Sequence, residues 1–167
     1  VLDVGVGRGT YSKRLRDAHR GIEWIGVEAW EPYVKTYALE DQYDRLVVGD
    51  ARLLDWDKLG QFDIVFLGDV LEHMIKADAL RLIEVLWTRV RFFFITIPIV
   101  YTPQDAFEGN HFEIHRKPDW SHEEAILSFP GICAWYVDRR NVNGVYALSS
   151  QSEDARLLAG LAADLAP

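Results

Sequence analysis

Short apolar runs alternate along the chain with segments whose apolar residues recur every three or four positions. The first pattern marks strands and the second amphipathic helices, and their alternation predicts βαβ units around a parallel sheet. VLDVGV (1–6) reads as a first strand ended by glycines, followed by a helix over about Thr10–Ala18 with Tyr11, Leu15 and Ala18 on one side. IEWIGVEA (22–29) is a second strand, and Pro32, a good first-turn residue, opens a helix running to about Tyr43. RLVVGD (45–50) is a third strand, with DARLLDWDKL (50–59) as a short helical connection. FDIVFLGDV (62–70) is the fourth, and a helix over Asp78–Val90 carries the stripe Leu82, Val85 and Leu86. RFFFITIP (91–98) is the fifth strand, apolar throughout as a strand covered on both faces should be.

The pattern then changes. Tyr101–Trp120 lacks clear periodicity and holds Asn110, His111, Glu113 and His115; long irregular segments inside compact domains are usually functional. Ser121 with Glu124 forms a capping box, predicting a helix that stops before Phe129-Pro130. ICAWYVDRRNVNGVYALSS (132–150) predicts two antiparallel strands with Asn143-Gly144 as the turn. From Ser152 a capped helix places Leu157, Leu158, Leu161 and Leu165 on one face. No repeat or linker interrupts residues 1–167, so one domain is expected.

Composition narrows the class. At 167 residues and 49% hydrophobic content the chain builds a substantial core. A net charge of −8 without a Lys/Arg-rich run disfavours binding to a phosphate backbone, so nucleic acid is not an expected partner. The single Cys133 rules out an intramolecular disulfide and suits a reducing compartment. No apolar run approaches the roughly 20 residues of a membrane span. A cytoplasmic domain is expected, with residues missing before Val1, since the sequence starts inside a strand without Met.

Candidate chemistry starts at the glycine turn. A strand, a glycine-rich turn and a helix start together expose backbone N–H groups to a ligand. No lysine follows at P-loop spacing, and Thr10 stands where a dinucleotide fingerprint has its third glycine. Four successive strands carry an acid at or near their C-terminal ends: Asp3, Glu28, Asp50 and Asp69. That edge is where open α/β sheets bind ligands. Carboxylates would repel a pyrophosphate but bind ribose hydroxyls, an adenine amino group and an ammonium. The ligand read from these residues is adenosine attached to something cationic.

VLDVGVGRG, GVEAW, VVGDARLL, FDIVFLGDVLEHM and the closing hairpin, in that order, resemble the motifs of class I S-adenosylmethionine-dependent methyltransferases over nearly the whole chain. The resemblance implies a Rossmann-like three-layer α/β sandwich. Its sheet would be mostly parallel and seven-stranded, order 3-2-1-4-5-7-6, with an antiparallel terminal hairpin. The helix that usually precedes the family's first strand is absent from this sequence. The resemblance further implies S-adenosyl-L-methionine as cofactor and S-adenosyl-L-homocysteine (SAH) as product. Gly5, Gly7 and Gly9 would line the methionine part and Asp3 would orient its amino group. Glu28, with Ala29 beside it, would hold the ribose, and Trp30 would flank the adenine. Asp50 and the Ala51 backbone would read the adenine edge, and Asp69 would sit beside the sulfonium.

On the acceptor side, a small molecule with an ionisable oxygen or nitrogen gains from a general base, and histidine is the natural one at neutral pH. His115 is favoured, His111 comes second, and His73 follows the fourth strand directly. Asn110, His115, Trp120 and Ser121 resemble a stretch found in small-molecule O-methyltransferases of the family. Two alternatives stand beside this reading. Asp69-x-x-Glu72-His73 plus His115 resembles the metal-ligand set of RNA 3′-terminal 2′-O-methyltransferases. His111, Glu113 and His115 would also share a face were that stretch extended. Against a metal, D-x-L-E-H is common in family members without one, position 69 is Asp rather than that subgroup's Glu, and the chain is acidic, so none is expected. The other alternative is a catalytically silent cofactor-binding domain, which would have little need of both an intact glycine loop and Glu28.

Overall fold

The computed structural model describes residues 1–138, 140 and 142–164. Its strands are β1 (Leu2–Val4), β2 (Ile25–Glu28), β3 (Arg45–Val48), β4 (Phe62–Gly68), β5 (Val90–Pro98), β6 (Ile132–Asp138) and β7 (Asn143–Leu148). They form one sheet in the order β3-β2-β1-β4-β5-β7-β6. The first five are parallel, while β7 runs antiparallel to both β5 and β6. The helices are α1 (Thr10–Leu15), α2 (Glu31–Thr36), α3 (Lys76–Trp87), α4 (His122–Ser128) and α5 (Ser152–Asp164). This is the expected Rossmann-like architecture. Among the described residues no helix is long and apolar enough to cross a membrane.

Strand alternation splits the core in two. Leu2 and Val4 of β1, Val65 and Leu67 of β4, and Phe93, Ile95 and Ile97 of β5 pack with Ala79, Leu82, Ile83 and Leu86 of α3. The opposite face packs Phe66 of β4 with Val6, Trp24, Tyr33, Leu39 and Tyr43, joined by Tyr11 and Leu15 of α1. Tyr11 and Phe66 stack with centroids 4.4 Å apart, and Phe94 continues the stack at 5.6 Å. Asp3 lies between Leu2 and Val4, so it points into this second layer, where the Tyr43 hydroxyl donates to its Oδ2 at 2.6 Å.

Several elements differ from the sequence reading, among them the helix expected over Asp78–Val90, which ends at Trp87 so that Val90 opens β5. The helix expected to about Tyr43 breaks at Ala38 (φ 50°) into α2 and a single 3₁₀ turn, Leu39–Asp41; Leu39 and Tyr43 are thereby buried. The first helix stops at Leu15, so Ala18, expected on its apolar side, lies exposed beyond its end. Asn143-Gly144 does not form the turn but starts β7, paired with Asp138 and Val137. Gly144 serves close packing instead, since a Cβ there would collide with the Tyr146 ring. Leu157 and Leu161 are exposed on α5, and Leu165 lies outside the described residues.

Candidate active site

Five strands deliver their C-terminal ends to a cavity of about 480 Å³. At its floor the chain leaves β1 through Gly5, whose φ of +69° and whose approach to Val70 (a Cβ would lie 2.5 Å from Cγ2) both exclude a side chain. The Gly5 and Val6 N–H groups donate to the Val27 carbonyl at 2.8 and 3.2 Å, pinning the loop to β2. Glu28, at the end of β2, accepts from the Gly7 N–H at 2.9 Å and the Trp30 N–H at 2.8 Å. Burial raises the affinity of its carboxyl for a proton, against the pull of those two backbone donors. Asp50 follows β3 and grips Arg52 through both oxygens, which lowers its pKa. Ala29, Gly49 and Ala51 complete this end of the cavity.

The opposite end is built from the residues after β4 and β5. Asp69 sits in the left-handed region (φ 55°), a conformation that costs a non-glycine residue energy and is typical of functional turns. Its N–H is anchored on the Thr96 carbonyl at 2.9 Å, and burial pushes its carboxyl upward. A 3₁₀ turn, Leu71–His73, then presents Glu72 and His73. Glu72 is 1% exposed, and its Oε2 has no hydrogen-bond partner among the described residues. Burial, with the like charges of Asp69 and Glu113 added, raises its carboxyl well above the ordinary range. Burial and then the neighbouring His115 lower the His73 pKa.

His115 is oriented from behind. Its Nδ1 lies 2.5 Å from the Thr102 carbonyl, which can only accept, so Nδ1 carries the proton and the Nε2 lone pair is free. The two imidazoles meet edge to face at 4.8 Å, and one ligand atom each from Glu72, His73 and His115 lie within 4.8 Å of one another. A cation would find three donors there.

Asn110, 2% exposed, caps a further 3₁₀ turn, His111–Glu113, by accepting the Phe112 N–H at 2.9 Å. That turn undoes the extended arrangement in which His111, Glu113 and His115 would share a face. His111 is exposed and off the cavity wall, whereas Glu113 and His115 line it. Glu113 accepts from the Tyr33 hydroxyl at 2.9 Å and from Gln104 Nε2 at 3.2 Å; Gln104 also holds the Glu113 carbonyl at 2.8 Å.

Of the residues singled out from sequence, Gly5, Gly7, Glu28, Ala29, Asp50, Ala51, Asp69, His73 and His115 line one cavity. Asp3, Gly9 and Trp30 stand behind its wall: Asp3 on Tyr43, Gly9 at the start of α1, Trp30 against the second core layer. Sequence reasoning did not reach Tyr33, Thr102 or Gln104, because no spacing links residues brought together from α2 and the segment after β5.

A family model described as a methyltransferase domain matches residues 2–89. No curated protein matches the chain. Among solved structures it is similar to an S-adenosylmethionine-dependent methyltransferase from Clostridium acetobutylicum ATCC 824 (TM-score 0.66, 11% identity, covering 89% of this chain and 82% of that one). It is also similar to the N-terminal domain of EvdMO1 with SAH bound (TM-score 0.65, 12% identity, 90% and 74%). A third is the methyltransferase domain of bacterial CtHen1-CN (TM-score 0.61, 18% identity, 89% and 88%). At these identities the likeness is one of fold.

Proposed function

The chain belongs to the methyltransferase-domain family, and on that premise we propose that it transfers a methyl group from S-adenosylmethionine to an oxygen or nitrogen of a small-molecule acceptor. The observation that carries this reading is the shared cavity. One end joins the glycine loop to Glu28, Asp50 and Ala51; the other holds Asp69, His73 and His115. The residues fit the cofactor. Gly5 and Gly7 line the cavity with backbone alone, Glu28 offers a buried carboxylate to ribose hydroxyls, and the carboxyl-rich lining suits a sulfonium and an ammonium. When bound, S-adenosylmethionine supplies an electrophilic methyl group. Solved relatives of this fold carry SAH.

The protein's own part is to align the acceptor nucleophile in a desolvated pocket and to remove its proton. We assign proton removal to His115, whose Nε2 lone pair is held ready by the Nδ1–H bond to Thr102. Asp69 places negative charge next to the transfer centre. His73, biased toward its neutral form, lines the same wall. The reading takes residues 1–167 as one domain and the enzyme as cytoplasmic.

Calorimetry with S-adenosylmethionine and SAH tests the cofactor half: binding of both is expected, and binding of neither overturns the reading. A homocysteine-release assay across small alcohols, phenols and amines tests the acceptor half, with turnover expected for at least one class. Binding without turnover on any acceptor would point to the silent domain.

One observation favours a second reading, a metal-dependent RNA 2′-O-methyltransferase: the convergence of Glu72, His73 and His115 within 4.8 Å. The acid excess of the chain weighs against an RNA groove. Metal analysis of the purified protein, with a Glu72→Gln control, separates the two.

A further inference from the structure

The acceptor half of the cavity holds more carboxyl groups than one sulfonium requires. Asp69, Glu72 and Glu113 line it, and neither Lys nor Arg does. The cavity's two guanidiniums belong to the cofactor half: Arg52 is paired with Asp50 and Asp78, and Arg8 lies over the Tyr37 ring. Among the described residues no ion pair includes Glu113.

Glu113 is built into place. Its two oxygens are held by neutral donors, the Tyr33 hydroxyl and the Gln104 amide, and its backbone is fixed by Gln104 and by the turn that Asn110 caps. Two uncharged donors fix the carboxylate's direction without neutralising it, so the charge stays available to a ligand. A second, independent pointer to a cationic ligand is Glu72, 1% exposed with an oxygen that nothing among the described residues satisfies. Buried carboxyl oxygens are rarely left without a partner, because the desolvation cost goes unrecovered. Phe112 and Tyr33 add aromatic surface to the same wall.

We propose that the acceptor is a primary or secondary amine entering as its ammonium, with Glu113 as the anchoring carboxylate and Glu72 satisfied by the same positive charge. The inference rests on the methyltransferase reading and narrows it from oxygen or nitrogen to nitrogen. The ammonium gives its proton to His115 Nε2. The amine nitrogen then forms its bond to the methyl carbon as the carbon–sulfur bond breaks, the pair staying on sulfur. The product is the N-methylated ammonium and a neutral thioether.

The test uses SAH-loaded protein in EDTA-containing buffer near neutral pH and two matched probe pairs: benzylamine against benzyl alcohol, and 2-phenylethylamine against 2-phenylethanol. By calorimetry each amine should bind about 10- to 100-fold more tightly than its alcohol, the range for a hydrogen bond to a charged group. Glu113→Gln, which keeps the Tyr33 bond, should erase that preference by weakening the amines far more than the alcohols. An unliganded thermal midpoint close to that of the wild type establishes that this variant is folded. Equal binding within a pair, no amine binding to protein that binds SAH, or a preference that survives Glu113→Gln overturns the proposal and leaves the methyltransferase reading standing. Failure to bind SAH at all overturns both.

Discussion

Replacing Asp3 by Asn should change how stability depends on pH, by an amount the structure sets. Asp3 is 1% exposed in the second core layer, its Oδ2 held by the Tyr43 hydroxyl at 2.6 Å. Burial raises its carboxyl from 3.8 to about 7, opposed by the Tyr43 bond and aided by the charge of Glu28. Between these two values the unfolded chain has released this proton and the folded chain has not. Folding therefore binds a proton, and stability falls as pH rises through the window. At 1.36 kcal/mol per pH unit, the loss across the window is about 4 kcal/mol; below the unfolded value and above pH 7 the contribution is flat. Asn cannot ionise yet still accepts from Tyr43, so Asp3→Asn should lack this slope. Urea denaturation of both proteins at about pH 4, 5.5, 7 and 8 gives the difference in unfolding free energy directly. The variant should gain about 4 kcal/mol on the wild type between the lowest pH and neutrality, with no further gain above it. Differencing removes the other raised carboxyls, Glu28, Asp69 and Glu72, to the extent that they do not couple to Asp3. A pH-independent difference between the two proteins would refute a buried, proton-holding Asp3.

Three other substitutions probe the cavity and its floor. Glu28→Gln removes a buried charge from the cofactor end and should weaken SAH about 10- to 100-fold by calorimetry; an unchanged affinity would dissociate Glu28 from the cofactor. Gly5→Ala places a Cβ 2.5 Å from Val70 Cγ2 at a φ of +69°. It should cost about 1–3 kcal/mol and lower the thermal midpoint by several degrees, which an unshifted melt would contradict. His115→Ala should lower turnover of a methylated acceptor about 10²- to 10⁴-fold with SAH binding retained; undiminished turnover would remove His115 from the proton-transfer role.

The architecture was legible because burial writes itself into the chain at short range. Apolar runs such as RFFFITIP became the interior strand β5, between β4 and β7, and the acids closing successive strands came out on one edge, since parallel strands all end there. The family resemblance supplied the strand order, which periodicity alone leaves open. Local signals failed where one residue type serves two purposes. The glycine of Asn143-Gly144 signals a turn in sequence, but in the fold it makes room for Tyr146.

By itself, then, the sequence determined the strands, the glycine loop and the acid-lined edge, all of which follow from local patterning and chain direction. Only the tertiary structure decided which of those groups face the cavity and in what state. Asp3 finds Tyr43 across 40 residues and turns away from the cavity. Glu113 is aimed by Tyr33 across 80 residues. A single 3₁₀ turn at residues 111–113 separates His111 from His115. The physical reason is the same in each case. A side chain's direction after an irregular turn, and the burial that shifts its proton affinity, depend on contacts between distant segments that no local spacing records.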